Sequence, residues 1–128
     1  VTAGATQTGV WQKAIDRMPT ALQAGPYFVL GRALARQERF DEAALAMLRA
    51  PILYPRDDAL ASEALVEAGL MLEKLQRPKQ AARLYREVLR DHPSARAATE
   101  ARARWEAMTE HDQENPRPTK ADEPPNGP

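Results

Sequence analysis

Two stretches decide the fold: GPYFVLGRALARQERFDEAALAMLRAPILYP at 25–55 and EALVEAGLMLEKLQRPKQAARLYREVLRDHP at 63–93, set 38 residues apart. Gly31 recurs as Gly69, Leu34 as Leu72, Arg39 as Arg77, Ala43 as Ala81, Ala44 as Ala82 and Pro55 as Pro93. Agreement of such different residue types in one register is the signature of an internal repeat. Each unit holds two apolar-periodic runs split by a short polar break, RQER before Phe40 and KLQR before Pro78, and so predicts a helical hairpin.

Outward from these stretches, punctuation sets the expected helix ends. The first helix of unit one opens at Pro26 with Tyr27, Leu30 and Leu34 on one stripe. The second opens near Asp41 and stops near Ala50, because Pro51 would clash with the carbonyl four residues back. Unit two opens at Asp57 or Asp58 with Leu65, Ala68, Gly69 and Leu72 inward, and its second helix runs from Pro78 to Pro93. Ser94 is then expected to cap a further helix in which Ala97, Ala101, Trp105 and Met108 share a face. Trp11, Ala14 and Pro19 repeat the intervals of Tyr85, Val88 and Pro93, so half a unit precedes unit one.

Composition bounds the ends and the function classes. The first eight residues lack periodicity and are expected to be disordered. The segment 110–128 carries Glu110, Asp112, Glu114, Asp122 and Glu123 against Arg117 and Lys120, is rich in Pro, and reads as an acidic disordered tail or linker. Between them, 9–109 is one helical domain with repeats at about 24–57 and 58–95 and a capping helix at about 95–109. Eighteen basic residues balance 18 acidic ones, which argues against a nucleic-acid binder built on bulk charge. With no Cys there are no disulfides and no thiol chemistry. No run approaches the roughly 18 apolar residues of a membrane span. The chain opens on Val1 instead of Met, which reads as a processed or excised piece.

In this register the sequence resembles the tetratricopeptide repeat. Unit one supplies Tyr27, Leu30-Gly31, Leu34, Ala43, Met47, Ala50 and Pro55 in the family's slots, and unit two supplies Leu65, Ala68-Gly69, Leu72, Ala81, Tyr85, Val88 and Pro93. Pro55 to Gly69 spans four residues more than the standard repeat, about one helical turn, which lengthens the opening helix of unit two without rotating its apolar face. These extended repeats are similar to those of bacterial cell-envelope members of the family. The resemblance implies an all-α, right-handed α-solenoid of two full repeats flanked by half-repeats, with a partner-binding groove lined by first helices. It places Phe28, Arg32, Ala35 and Arg36 of unit one, and Val66, Leu70, Glu73 and Lys74 of unit two, in that groove. Members that clamp a terminal carboxylate use Lys and Asn where Phe28, Arg32 and Glu67 stand here, so that ligand class is not expected.

Groups for catalysis are few: Ser62 and Ser94 are the only serines, His92 and His111 the only histidines. His92 reads as a charge partner for a helix C-terminus, and Asp57-Asp58 as N-capping residues without the glycine of a calcium loop. Arg83, Arg86 and Arg90 form a basic stripe, but Glu87, Asp91 and Glu100 interleave with them as on a solvated, ion-paired face. No metal, cofactor, nucleic acid or small-molecule substrate is expected. The expectation is a non-catalytic adaptor or scaffold that binds another protein; the alternative is a structural subunit built permanently into a larger envelope or membrane-associated complex.

Overall fold

The computed structural model describes residues 5–19 and 23–114. Among them the chain is all helix: α1 (Ala5–Asp16), α2 (Ala24–Arg36), α3 (Phe40–Met47), α4 (Arg49–Leu53), α5 (Asp58–Lys74), α6 (Pro78–Asp91) and α7 (Ala97–Glu114). Pro26 falls in the first turn of α2, and Pro78 opens α6, where a missing N–H has no partner to lose. Asp57 caps α5 by accepting the Leu60 N–H at 3.1 Å.

Pro51 acts differently from expectation. Instead of ending the helix at Ala50, it displaces the break to Leu48, and α4 then carries the chain through Pro51 to Leu53. The restart leaves Pro51 in the first turn of a new helix, where neither the absent N–H nor the ring clash matters. The terminal boundaries also move. The structure extends α1 back to Ala5, with Thr8 buried under a hydrogen bond from Arg39 Nη1 at 3.1 Å. It extends α7 to Glu114 instead of 109, since EHDQE at 110–114 contains no helix breaker. At its other end α7 begins at Ala97, not at Ser94. His92 to Ala98 is instead a double turn, with the Ala95 N–H donating to His92 O at 3.1 Å and the Ala98 N–H to Ala95 O at 3.0 Å. The expected tail beyond Glu114, and residues 1–4, lie outside the described residues.

The 38-residue repeat is a repeat of backbone bonds. At the end of α2, Arg39 N–H donates to Leu34 O at 3.0 Å and Glu38 N–H to Ala35 O at 3.0 Å; at the end of α5, Arg77 N–H donates to Leu72 O at 2.9 Å and Gln76 N–H to Glu73 O at 3.0 Å. These are two copies of the same C-terminal closing motif, with Glu38 and Gln76 both at φ 60°. The second helices end alike as well: Tyr54 N–H donates to Ala50 O at 2.9 Å, and His92 N–H to Val88 O at 2.8 Å. A left-handed residue with a Cβ is strained at each turn, and glycine relieves it at some cost in chain entropy. Gln76→Gly is therefore expected to raise stability by about 0.5–1 kcal/mol, measured by denaturant melts, while Gln76→Val lowers it.

Each hairpin closes on a glycine. A Cβ built on Gly31 would lie 2.7 Å from Met47 Cγ, and one on Gly69 would lie 2.5 Å from Tyr85 Cε1. Met47 and Tyr85 each follow their glycine by 16 residues and are fully buried. The resulting cores are continuous. One joins Tyr27, Phe28, Leu30 and Leu34 of α2 to Met47 of α3 and Ala64 and Ala68 of α5; the other joins Leu65 and Val66 of α5 to Tyr85 and Val88 of α6 and Ala101 of α7. Leu48, Leu70 and Leu84 border both. The half-unit is less closed: Ile15 is buried and Asp16 accepts the Tyr27 hydroxyl hydrogen, but Trp11 is 40% exposed where Met47 and Tyr85 are buried. Gly69→Ala is expected to cost about 2 kcal/mol, because the Tyr85 ring cannot bend aside, and Gly69→Leu still more. Gly31→Ala should cost less, about 1 kcal/mol, since the Met47 side chain can adjust and helix propensity improves, although the new Cβ also comes within 3.2 Å of the Ala43 carbonyl oxygen. Thermal melts of the three variants check the order.

Candidate functional site

On α2, Gly25, Val29, Arg32 and Arg36 are exposed at spacings of four, three and four, a single stripe of the helix. The stripe borders α5 through Arg32, which reaches Glu67 Oε1 at 2.8 Å from Nη2, Glu67 Oε2 at 3.3 Å from Nε, and Glu63 Oε1 at 3.0 Å. Its guanidinium also lies 4.3 Å over the Phe28 ring. The hydrogen bonds to Glu67 push the Arg32 guanidinium pKa up, against the opposing effect of burial. Arg32 thus pins the two first helices together, and its charge is consumed by two carboxylates.

The second link joins three helices. Glu73 of α5 accepts the Tyr85 hydroxyl of α6 at 2.5 Å and both the Nε, at 3.1 Å, and the Nη2 of Arg104 from α7. Burial alone would raise the Glu73 carboxyl pKa, but the bonds from Arg104 and Tyr85 together outweigh it and hold the value below 4.5. Burial, reinforced by the hydrogen bond to Glu73, pushes the Tyr85 phenol up.

These contacts reassign much of the expected groove. Phe28 and Val66 are 6% and 2% exposed and belong to the cores, so they are corrected from groove residues to packing residues. Ala64 and Ala68 let the α2–α3 hairpin approach α5 closely enough to share a core with Phe28, and Ala98 and Ala101 do the same for α7 over Val66. Glu73 is committed to Arg104 and Tyr85, and Ala35 is half-buried. Leu70 is half-buried between the cores. Arg36 and Lys74 remain exposed. Arg36 has no ion-pair partner among the described residues, and Lys74 Nζ lies 5.3 Å over the Phe40 ring. Sequence reasoning missed Val29, which is 61% exposed on the same stripe and was legible from its spacing to Arg32 and Arg36.

The other polar candidates resolve locally. His92 is buried, and its Nδ1 lies 2.6 Å from Asp58 Oδ1, so its partner is a side chain as well as a helix end. Ser62 donates to backbone carbonyls of its own helix, Asp58 O and Ala59 O. On the basic stripe, Arg90 pairs with Asp91 at 2.9 Å, whereas Arg83 and Arg86 make no ion pair among the described residues. No group of three metal-ligating side chains occurs among the described residues, and no described helix is long and apolar enough to cross a membrane. No family model, curated protein or solved structure matches the chain.

The Glu73 cluster yields a pH test. A carboxyl whose folded pKa is depressed adds stability above its unfolded value, and that stability is lost as pH falls through the folded one. Wild type should therefore lose stability from about pH 4.5 downward, with Glu73→Gln less stable at neutral pH and flatter over that window. Tyr85→Phe should cost about 1.5 kcal/mol at neutral pH. Denaturant melts across the pH series check both.

Proposed function

We propose that the chain is a tetratricopeptide-type α-solenoid that works as a non-catalytic protein-interaction adaptor, taking a partner segment along the exposed edge of α2 and α5. The observation that carries this reading is the duplicated hairpin, with the same closing bonds at Leu34–Arg39 and Leu72–Arg77 and the same glycine contact in each unit. Stacking of such units spreads a long, rigid surface over neighbouring first helices, which suits an extended or helical segment better than a small molecule. The available chemistry is Val29 and Leu70 as apolar contacts, with Arg36 and Lys74 as cations whose charge no carboxylate cancels. A segment with an apolar anchor beside acidic residues is complementary to it.

The test is affinity capture from the native source with quantitative mass spectrometry, comparing wild type with Arg36→Glu combined with Lys74→Glu. Both side chains are exposed in the last turn of their helices, so the reversal should cost about 1–2 kcal/mol of stability, and capture is compared at a temperature where melts show both proteins folded. A partner held by this edge should fall about tenfold or more, and its capture by wild type should weaken with added salt. Partners captured equally by both proteins would place the interaction elsewhere.

A further inference from the structure

The two second helices differ in one respect that the repeat makes visible. Helix α6 runs unbroken from Pro78 to Asp91, while its counterpart breaks at Leu48 because Pro51 stands where α6 has Leu89. Between α4 and α6 lies an open cavity of 420 Å³. Its apolar wall is formed by Leu48, Pro51, Ile52, Leu65 and Leu84. Its polar wall is Glu87, Asp91 and His92, and no Lys or Arg lines it.

Three features distinguish this cleft from a packing fault. Ile52 is 73% exposed at its lip, the position at which the other unit carries Arg90. Glu87 is half-buried on the wall and has no ion-pair partner among the described residues. His92 is 7% exposed, and Asp58 fixes its ring through Nδ1, which makes that wall rigid. An apolar floor therefore adjoins the carboxylates Glu87 and Asp91, while Arg90, the cation that interacts with both, is not part of the lining. The volume lies in the range of about 300–1,000 Å³ typical of ligand sites. The apolar surface continues out of the cavity onto Ile52, so a polypeptide covers it more fully than an enclosed small molecule would.

We infer that the α4–α6 cleft is a second docking site, which takes a partner polypeptide presenting an apolar side chain next to a Lys or Arg. The apolar side chain seats against Leu65 and Leu84, and the cation pairs with Glu87. This site is separate from the α2–α5 edge and prefers the opposite charge, so the two readings stand or fall independently.

The experiment titrates the 15N-labelled full chain with two peptides, Ac-Ala-Leu-Lys-Ala-amide and its counterpart with Glu in place of Lys. The Lys peptide is expected to bind at about millimolar concentration and shift amides in 48–55 and 84–92, with the Glu peptide at least about threefold weaker. Glu87→Gln should shrink that preference while its thermal melt matches wild type. Failure of both peptides to move those amides, or equal binding of the two by wild type, overturns the proposal. Displacement of amides only along 29–36 and 67–74 overturns it as well.

Discussion

The contact on which the architecture depends is the crossing of a first helix by its second at a glycine. At Gly69 the Tyr85 ring occupies the space a side chain would need, and at Gly31 Met47 does. Close approach of this kind lets each hairpin bury one large residue completely between two helices, and the neighbouring small residues Ala43, Ala64, Ala68, Ala81 and Ala101 then allow the next helix to close over it. The tight approach has a polar consequence too. It brings the Tyr85 hydroxyl to the surface edge of α5, where Glu73 receives it, and Arg104 of α7 completes the site. One glycine thus sets the position of three helices.

The same packing sorts the charges. Arg32 and Glu73 serve as interhelical ties, and the cations left without an ion pair along α2 and α5 are Arg36 and Lys74. Exposed ion pairs of the Arg32 kind contribute little stability individually, so their main effect is to fix which surface is free to meet a partner. In the cleft between α4 and α6 the balance reverses: apolar side chains stay partly uncovered, and the lining carries the carboxylates Glu87 and Asp91 and no Lys or Arg. A chain with no net charge can therefore present two faces of opposite preference.

The repeat was legible because it rests on residues whose roles are local or nearly so. Gly31 and Gly69, the alanines beside them and the prolines after each unit mark the hairpins in the sequence, and the backbone bonds follow at the same spacing. What was not legible depends on neighbours. Phe28 and Val66 carry the spacing of groove residues, and only the close approach of the next helix buries them. Pro51 reads as a stop because the rule concerns a helix already running; the chain instead breaks three residues earlier and restarts. Glu38 and Gln76 adopt the left-handed conformation without the glycine that would announce it. The end of α7 is not legible because composition averaged over 110–128 conceals five helix-compatible residues at its start.

The most direct test of the duplicated hairpin is a nuclear Overhauser spectrum of the isotope-labelled protein. The packing predicts cross-peaks from the Gly69 Hα protons to the Tyr85 ring and from the Gly31 Hα protons to the Met47 side chain. Contacts of the Tyr85 ring with another helix in place of Gly69, or the Gly69 contact without its Gly31 counterpart, would contradict the claim that one hairpin is built twice.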